Sequence, residues 1–411
     1  MWNRYELGVF IAFFILIGVF TKTYPVSSND QSRLAATQSI VEHGTFAIDN
    51  SRFNKTIDRV KIGNHFYSDK PMLTYLILVP IYHVLYYSGI TMNNNLGLVY
   101  FILSILTVGL STSIMLVYFY RFLKRYDLSN RLRLFYTTVL GLGTLIFVYS
   151  LVINNHGLAA AFLFLSYYAL INAKKTTNYA LAGLLAGLTA TFEIAGGPIF
   201  LACFFGLLLW RKVGIKNIIW FCGLAAIPII AYLGINYAIS GSIIPVQVRI
   251  ELFDYPGSEF AGGTGVSGHV KWDSYTDLLK YAWGITFGRK GLFTYSLPLF
   301  FSLAAIILAI TKKNKYRDEA ITMGTGTLLT LLFYITKTNN WGGCNFGFRF
   351  TVPLIPVLFA FTPILFKEVQ NKRLWHLFVI VFFFSLLITA LGIYLHTWNC
   401  DPQMIPFLTT R

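Results

Sequence analysis

The sequence predicts an all-α, polytopic integral membrane protein, and three observations predict it. Of its 411 residues, 55% are hydrophobic and only 12% charged, more apolar side chain than a soluble chain of this length can hide. Apolar stretches long enough to cross a bilayer recur from end to end. The net charge of +16 sits in short loops between those stretches. That is the pattern of membrane orientation, and it argues against a nucleic-acid partner.

The first apolar stretch, Leu7 to Phe20, follows Met1-Trp2-Asn3-Arg4 and has the look of a signal peptide. Thr21-Lys22-Thr23-Tyr24-Pro25 behind it offers no small-residue cleavage site, so an uncleaved anchor is expected. Helices are predicted at approximately 6–21, 97–120, 134–151, 157–172, 179–193, 197–210, 217–236, 292–311, 319–336, 351–366 and 374–395. The stretch 72–88 is also long enough to cross, but Tyr75, Tyr82, His83, Tyr86 and Tyr87 give it an interfacial character.

Charge bias decides its placement. If 72–88 stays on one side, the basic loops at 121–133, Lys174 and Lys175, 211–216, 312–317 and 367–373 all face the cytoplasm with the amino terminus. If it crosses, all of them move outside while Arg4 stays in. It therefore reads as a half-inserted or juxtamembrane helix. That leaves about eleven crossings and one transmembrane domain, 1–411.

This topology leaves 22–70, 237–290 and 337–350 outside, with the tail from His396. The first outer loop runs over 22–96. The region 237–290 carries Gly257, Gly262, Gly263, Gly265 and Gly268 and reads as a flexible loop over a site. No internal repeat of the transporter kind is present, and no soluble domain is appended. Cys203 and Cys222 lie within apolar spans and read as packing residues, while Cys344 and Cys400 fall on one outer side and are open to a disulfide. No cysteine has metal-finger spacing.

The chemistry-bearing residues concentrate in the first outer loop. Ser27-Ser28-Asn29-Asp30 is a helix-start signal, Ser28 with Gln31 fits a capping box, and Gly44 is the stop. The helix between them has enough apolar residues to lie along a bilayer surface. Asp30 falls in its first turn, where the helix dipole favours an ionised carboxylate, and Arg33 shares its face. Further on, Tyr67-Ser68-Asp69-Lys70-Pro71 puts proline at the first helical position of 72–88, with Asp69 or Ser68 as its cap. Lys70 adds a full charge to that helix start, a natural place for phosphate. Each piece also has a plain reading, a local ion pair for the first and an interfacial anchor for the second.

Together, in this order after the first span, the two pieces resemble the GT-C class of membrane glycosyltransferases. That class includes the protein O-mannosyltransferases and the lipid A aminoarabinose transferases, and the likeness is to its prokaryotic branch. The matches are Asp30 and Arg33 to Asp-x-x-Arg, then Tyr67, Lys70 and Pro71 to Tyr-x-x-Lys-Pro. Weaker similarity continues at Gly183 to Glu193, at Gly291 to Ser296, and from Gly342-Gly343 to Arg349 with Pro353 and Pro356. Three positions depart from the pattern: Gln31 stands where relatives often carry a second acid, and Met72 where they carry a second proline. Asn154-Asn155-His156 follows the third crossing, where many have an acid.

The resemblance implies transfer of a sugar from a polyprenyl-phosphate donor to an acceptor hydroxyl, by one inverting displacement. It places the reaction on the outer face of a prokaryotic plasma membrane. The acceptor, whether glycan, lipid or protein, is left open. Asp30 is the implied general base and Lys70 the leading phosphate ligand. Arg33 is implied to orient Asp30 or touch the phosphate, and Tyr67 to bond the phosphate or stack on the sugar. With the second acid missing, a divalent metal lacks support, so no cofactor and no metal ligand is expected. Arg289 and Arg349 are further candidate phosphate ligands, each with interfacial anchoring as its plain reading. Asp69, Glu193 and His156 are candidate supports of the site; Glu193 reads equally as a helix-break partner and His156 as a bonded helix-start residue. The rival from another class is a transporter or flippase of a lipid-linked or small polar substrate.

Overall fold

The computed structural model describes residues 2–25, 27–263, 266, 268, 270 and 272–398. The chain starts with α1 (Arg4–Phe20), whose cap Asn3 accepts from the Glu6 N–H while the Glu6 carboxylate accepts from the Asn3 N–H. The first outer loop holds α2 (Ser28–His43), the strands β1 (Arg59–Ile62) and β2 (His65–Ser68), α3 (Met72–Leu76) and α4 (Val79–Tyr87). Among the described residues the all-α expectation therefore has one exception, an antiparallel hairpin pairing Val60 with Tyr67. Its turn uses Gly63 at φ 60°, a conformation that costs glycine nothing.

Several expected spans are pieces rather than single rods. The stretch 97–120 is α5 (Leu96–Ser104) and α6 (Leu110–Phe122), continuous through a wide turn at Ile105–Gly109. The stretch 134–151 breaks into α7 (Asn130–Leu142) and α8 (Leu145–Tyr149), because the Thr144 hydroxyl accepts from the Ile146 N–H and starts a new helix. Next come α9 (Asn155–Ile171), α10 (Thr176–Phe192), α11 (Gly196–Trp210) and α12 (Ile215–Ser240). The region 237–290 is more ordered than a plain loop, ending in α13 (Tyr275–Thr286), which Ser274 caps. The stretch 292–311 divides at Leu297-Pro298 into α14 (Leu292–Tyr295) and α15 (Leu299–Thr311), followed by α16 (Arg317–Lys337). Prolines 353, 356 and 363 break 351–366 into α17 (Leu354–Phe359) and α18 (Thr362–Val369), before α19 (Lys372–Leu395).

Among the described residues, four helical stretches are long and apolar enough to cross a bilayer alone: Leu96–Tyr126, Ile215–Ser240, Arg317–Lys337 and Lys372–Leu395. The other expected spans are shorter apolar helices or broken pairs. The 72–88 stretch is interrupted at Ile77-Leu78, and α4 packs on α2.

Two packing features position the site. A Cβ on Gly183 would stand 2.0 Å from the Phe221 carbonyl oxygen, and one on Gly187 2.3 Å from that of Ala225. Helices α10 and α12 thus meet backbone to backbone through a Gly-x-x-x-Gly face, the contact membrane helices use when hydrophobic burial supplies no drive between them. This holds the end of α10, and with it Glu193. The helix α2 does not lie on the bilayer surface: Leu34, Ala35, Ala36 and Thr37 are buried in protein. Its cap is Ser27 rather than Ser28, and Gly44 closes it at φ 65°.

Candidate active site

The starts of α2 and α9, the ends of α10 and α16, and the loops after β2 and α16 enclose a cavity of about 940 Å³. Trp398, with Gln247, Val248, Phe253, Glu259, Phe260 and Val266, completes its wall. Lys70 lies in this wall with its Nζ 3.1 Å from Asp58 Oδ2 and 3.0 Å from Asp69 Oδ2. Ser68 Oγ accepts from the Lys70 N–H, so Ser68 bonds within the loop instead of capping α3, where Pro71 takes the cap position. Burial raises the Asp58 carboxyl, but the Lys70 ammonium and then Arg349 outweigh it and leave it below its ordinary value. For Asp69 burial wins over Lys70, and the Asp58 charge adds to the rise. The phosphate ligand expected from the sequence thus sits between two carboxylates, one of which, Asp58, carries no motif that sequence reasoning could find.

Asp30 is placed differently from the expectation. Its side chain is 0% exposed and is not part of the cavity wall. The Tyr100 hydroxyl donates to Oδ2 at 2.8 Å and the Trp398 indole N–H donates to Oδ1 at 3.1 Å, while Arg33 Nη1 stands 3.9 Å away. Burial pushes the carboxyl up to about 7, against the pull of Arg33 and the two donors. Trp398 does line the cavity, so its indole stands between the carboxylate it bonds and the cavity.

From Arg33 a buried chain of contacts crosses the site. Arg33 Nη2 donates to Asn155 Oδ1 at 2.6 Å, and Asn155 Nδ2 donates to the Phe192 carbonyl at 3.0 Å. Next to it, His156 Nδ1 lies 2.7 Å from Glu193 Oε2, and the Tyr334 hydroxyl donates to Glu193 Oε1 at 2.8 Å. Arg33, Asn155, His156, Glu193 and Tyr334 all face the cavity. The sequence put an amide-amide-histidine where the resemblance expects an acid; in space, Glu193 brings a carboxylate to those same residues. Nothing local in the sequence announces that approach.

Arg349 contributes the open cation. It is 8% exposed and lines the cavity, and its Nε and Nη1 have no hydrogen-bond partner among the described residues. Its guanidinium lies 5.1 Å from the Phe350 ring and 5.7 Å from that of Trp398. A buried guanidinium with unmet donors is a strong anion attractor.

Two candidates fall away from the wall. Tyr67 packs in the hairpin cluster with Val60 and Val246 and does not line the cavity. Arg289 stacks on Trp341 at 4.2 Å and reaches the cavity only through that ring. Its neighbour Lys290 is pushed down to about 7 by burial, then by Arg349 and Arg289, and donates to Gly343 O and Asn345 Oδ1. Among the described residues no three His, Cys, Asp or Glu side chains group as a metal site. The pairing of Cys344 with Cys400, left open by the sequence, falls on Cys400, which lies outside the described residues, and Cys203 and Cys222 are free.

No family model and no curated protein matches the sequence. Among solved structures, ArnT from Cupriavidus metallidurans, determined with undecaprenyl phosphate bound, superposes with a TM-score of 0.56 at 13% identity. The match covers 91% of this chain and 62% of that one, so this chain spans less than two thirds of its neighbour's length. At that identity the likeness speaks to architecture alone. The chain therefore shares the membrane architecture of that structure.

Proposed function

We propose that this protein is a glycosyltransferase that moves a sugar from a polyprenyl-phosphate donor to an acceptor hydroxyl. One observation carries the reading: Arg349, Arg33 and Lys70 converge on a single cavity, and the Arg349 guanidinium keeps unmet donors inside it. The neighbour that shares this fold was captured with undecaprenyl phosphate, which supports the same donor class.

The acceptor oxygen attacks the anomeric carbon, the bond from that carbon to the phosphate oxygen breaks, and polyprenyl phosphate departs. Cations holding the leaving phosphate favour that step because its charge grows there. Arg349 offers free donors at once, whereas Lys70 exchanges one of its two carboxylates for the phosphate. The acceptor proton goes to Asp30, whose carboxyl at about 7 is matched to proton transfer near neutral pH. That transfer requires the Trp398 indole to yield its place at Oδ1. Trp341, Phe350 and Trp398 give the sugar aromatic faces, and His156 with Glu193 gives its hydroxyls polar partners. The site faces the side of the membrane opposite the amino terminus.

The test is transfer of label from a panel of polyprenyl-phosphate sugars in membranes holding wild-type protein or Arg349→Ala. Product labelled by wild type, and about tenfold more weakly by Arg349→Ala at low donor concentration, supports the reading. Labelled lipid that crosses the membrane without being consumed sinks it in favour of a flippase.

A further inference from the structure

A second cavity, of about 530 Å³, opens at the other end of α1. The 17 residues of α1 separate it from the first outer loop by about 25 Å. Arg121, Lys124 and Arg125 line it with Glu6, while Arg125 also pairs with Glu319 at 2.7 Å, and Tyr168 and Asn172 add polar atoms from the end of α9. The Glu6 carboxylate is already engaged, since Arg121 Nη2 lies 2.7 Å and Lys124 Nζ 3.8 Å from it. Lys124 remains 56% exposed along its side chain.

The apolar surface continues from this basic hollow along α1. Leu7, Ile11 and Ile15 are exposed one helical turn apart, and nothing lies within 4 Å of where a Gly8 Cβ would stand. A cationic hollow at one end of an open apolar helix face matches a molecule with an anionic head and a hydrocarbon tail. The positive-inside rule accounts for basic residues on this side, but not for their gathering around a cavity.

We propose that this hollow binds the phosphate headgroup of an anionic phospholipid, with an acyl chain along Leu7 and Ile11. The site is independent of the proposed transfer reaction. Its chemistry, a phosphate held by exposed Lys124 beside the two paired arginines, would also accept a soluble phosphate, and the experiment separates the two sources.

Protein purified in a mild detergent is titrated with phosphatidylglycerol or phosphatidylcholine, and retained lipid is read by native mass spectrometry. Lys124→Glu is expected to weaken phosphatidylglycerol retention about tenfold, and Lys124→Gln about threefold. Lys372→Glu, an exposed change at the start of α19 and away from the hollow, is expected to leave it unchanged. Equal loss in the Lys124 and Lys372 variants overturns the site, because bulk charge then explains the binding. Inorganic phosphate that competes fully with phosphatidylglycerol overturns the lipid assignment and leaves a soluble phosphate ligand.

Discussion

Replacing Asp30 with asparagine separates what that residue does for the reaction from what it costs the fold. The amide fits the site: its oxygen can accept from the Trp398 indole N–H while its nitrogen donates to the Tyr100 hydroxyl oxygen. Burial holds the folded carboxyl at about 7, against about 3.9 for an exposed aspartate. The folded state thus holds this proton more tightly than the unfolded chain. The stabilisation is full below the ordinary aspartate range and is lost as pH rises towards the folded value. Ionising Asp30 in place costs on the order of 4 kcal/mol relative to an exposed aspartate. Asparagine never ionises, so the variant is expected to melt several degrees above wild type at about pH 8 and to keep only about a third of that advantage at about pH 5. The assay is thermal unfolding in one detergent across that range, paired with donor turnover at neutral pH. Turnover is expected to fall by about 10² to 10⁴ as the base is removed, with donor binding kept. A melting difference independent of pH refutes the raised carboxyl, and near-normal turnover in Asp30→Asn refutes the base.

Tyr100→Phe deletes one donor to the ionised Asp30, so the acid limb of the kcat/KM profile is expected to move up by about one pH unit; a limb that stays in place removes Asp30 from the rate. Lys70→Ala leaves Asp58 and Asp69 facing each other in a buried wall, with an expected loss of about 3 kcal/mol at neutral pH that protonation at low pH recovers. Unfolding midpoints that do not depend on pH in Lys70→Ala contradict that. Arg349→Ala is expected to raise the donor KM about tenfold or more, as charge-assisted contacts to phosphate are lost; binding of labelled polyprenyl phosphate reads it directly. Gly187→Leu forces apart two backbones that meet where its Cβ would lie 2.3 Å from the Ala225 carbonyl, and it is expected to abolish the folded monomer peak in size-exclusion chromatography.

Much of the architecture is legible along the chain because a bilayer demands long apolar runs and short basic loops, both local properties. The starts of α2, at Ser27, and of α9, at Asn154, carry side-chain caps, and Gly44 ends α2 where only a left-handed residue fits. The breaks at Gly143-Thr144 and Leu297-Pro298 were harder to read, since hydropathy runs through them uninterrupted and only a hydroxyl or a proline marks the place. The hairpin was missed for the opposite reason. Four-residue strands are too short to show an alternating pattern.

What the sequence by itself determined is the class of molecule, and it offered the first outer loop as the candidate site, with Lys70, Arg33, Arg349 and Arg289 as candidate cations. Charge and hydropathy are carried by each residue, so their placement along the chain already says which segments meet water. Only the tertiary structure decided which groups face the cavity. It buried Asp30 behind Trp398, a neighbour from the far end of the chain, and brought Asp58 against Lys70. It also carried Glu193 to His156, 37 residues earlier in the chain. Those contacts join separate helices and loops, and their distances follow from how α2, α9, α10 and the 337–350 loop pack, which no spacing within one segment encodes.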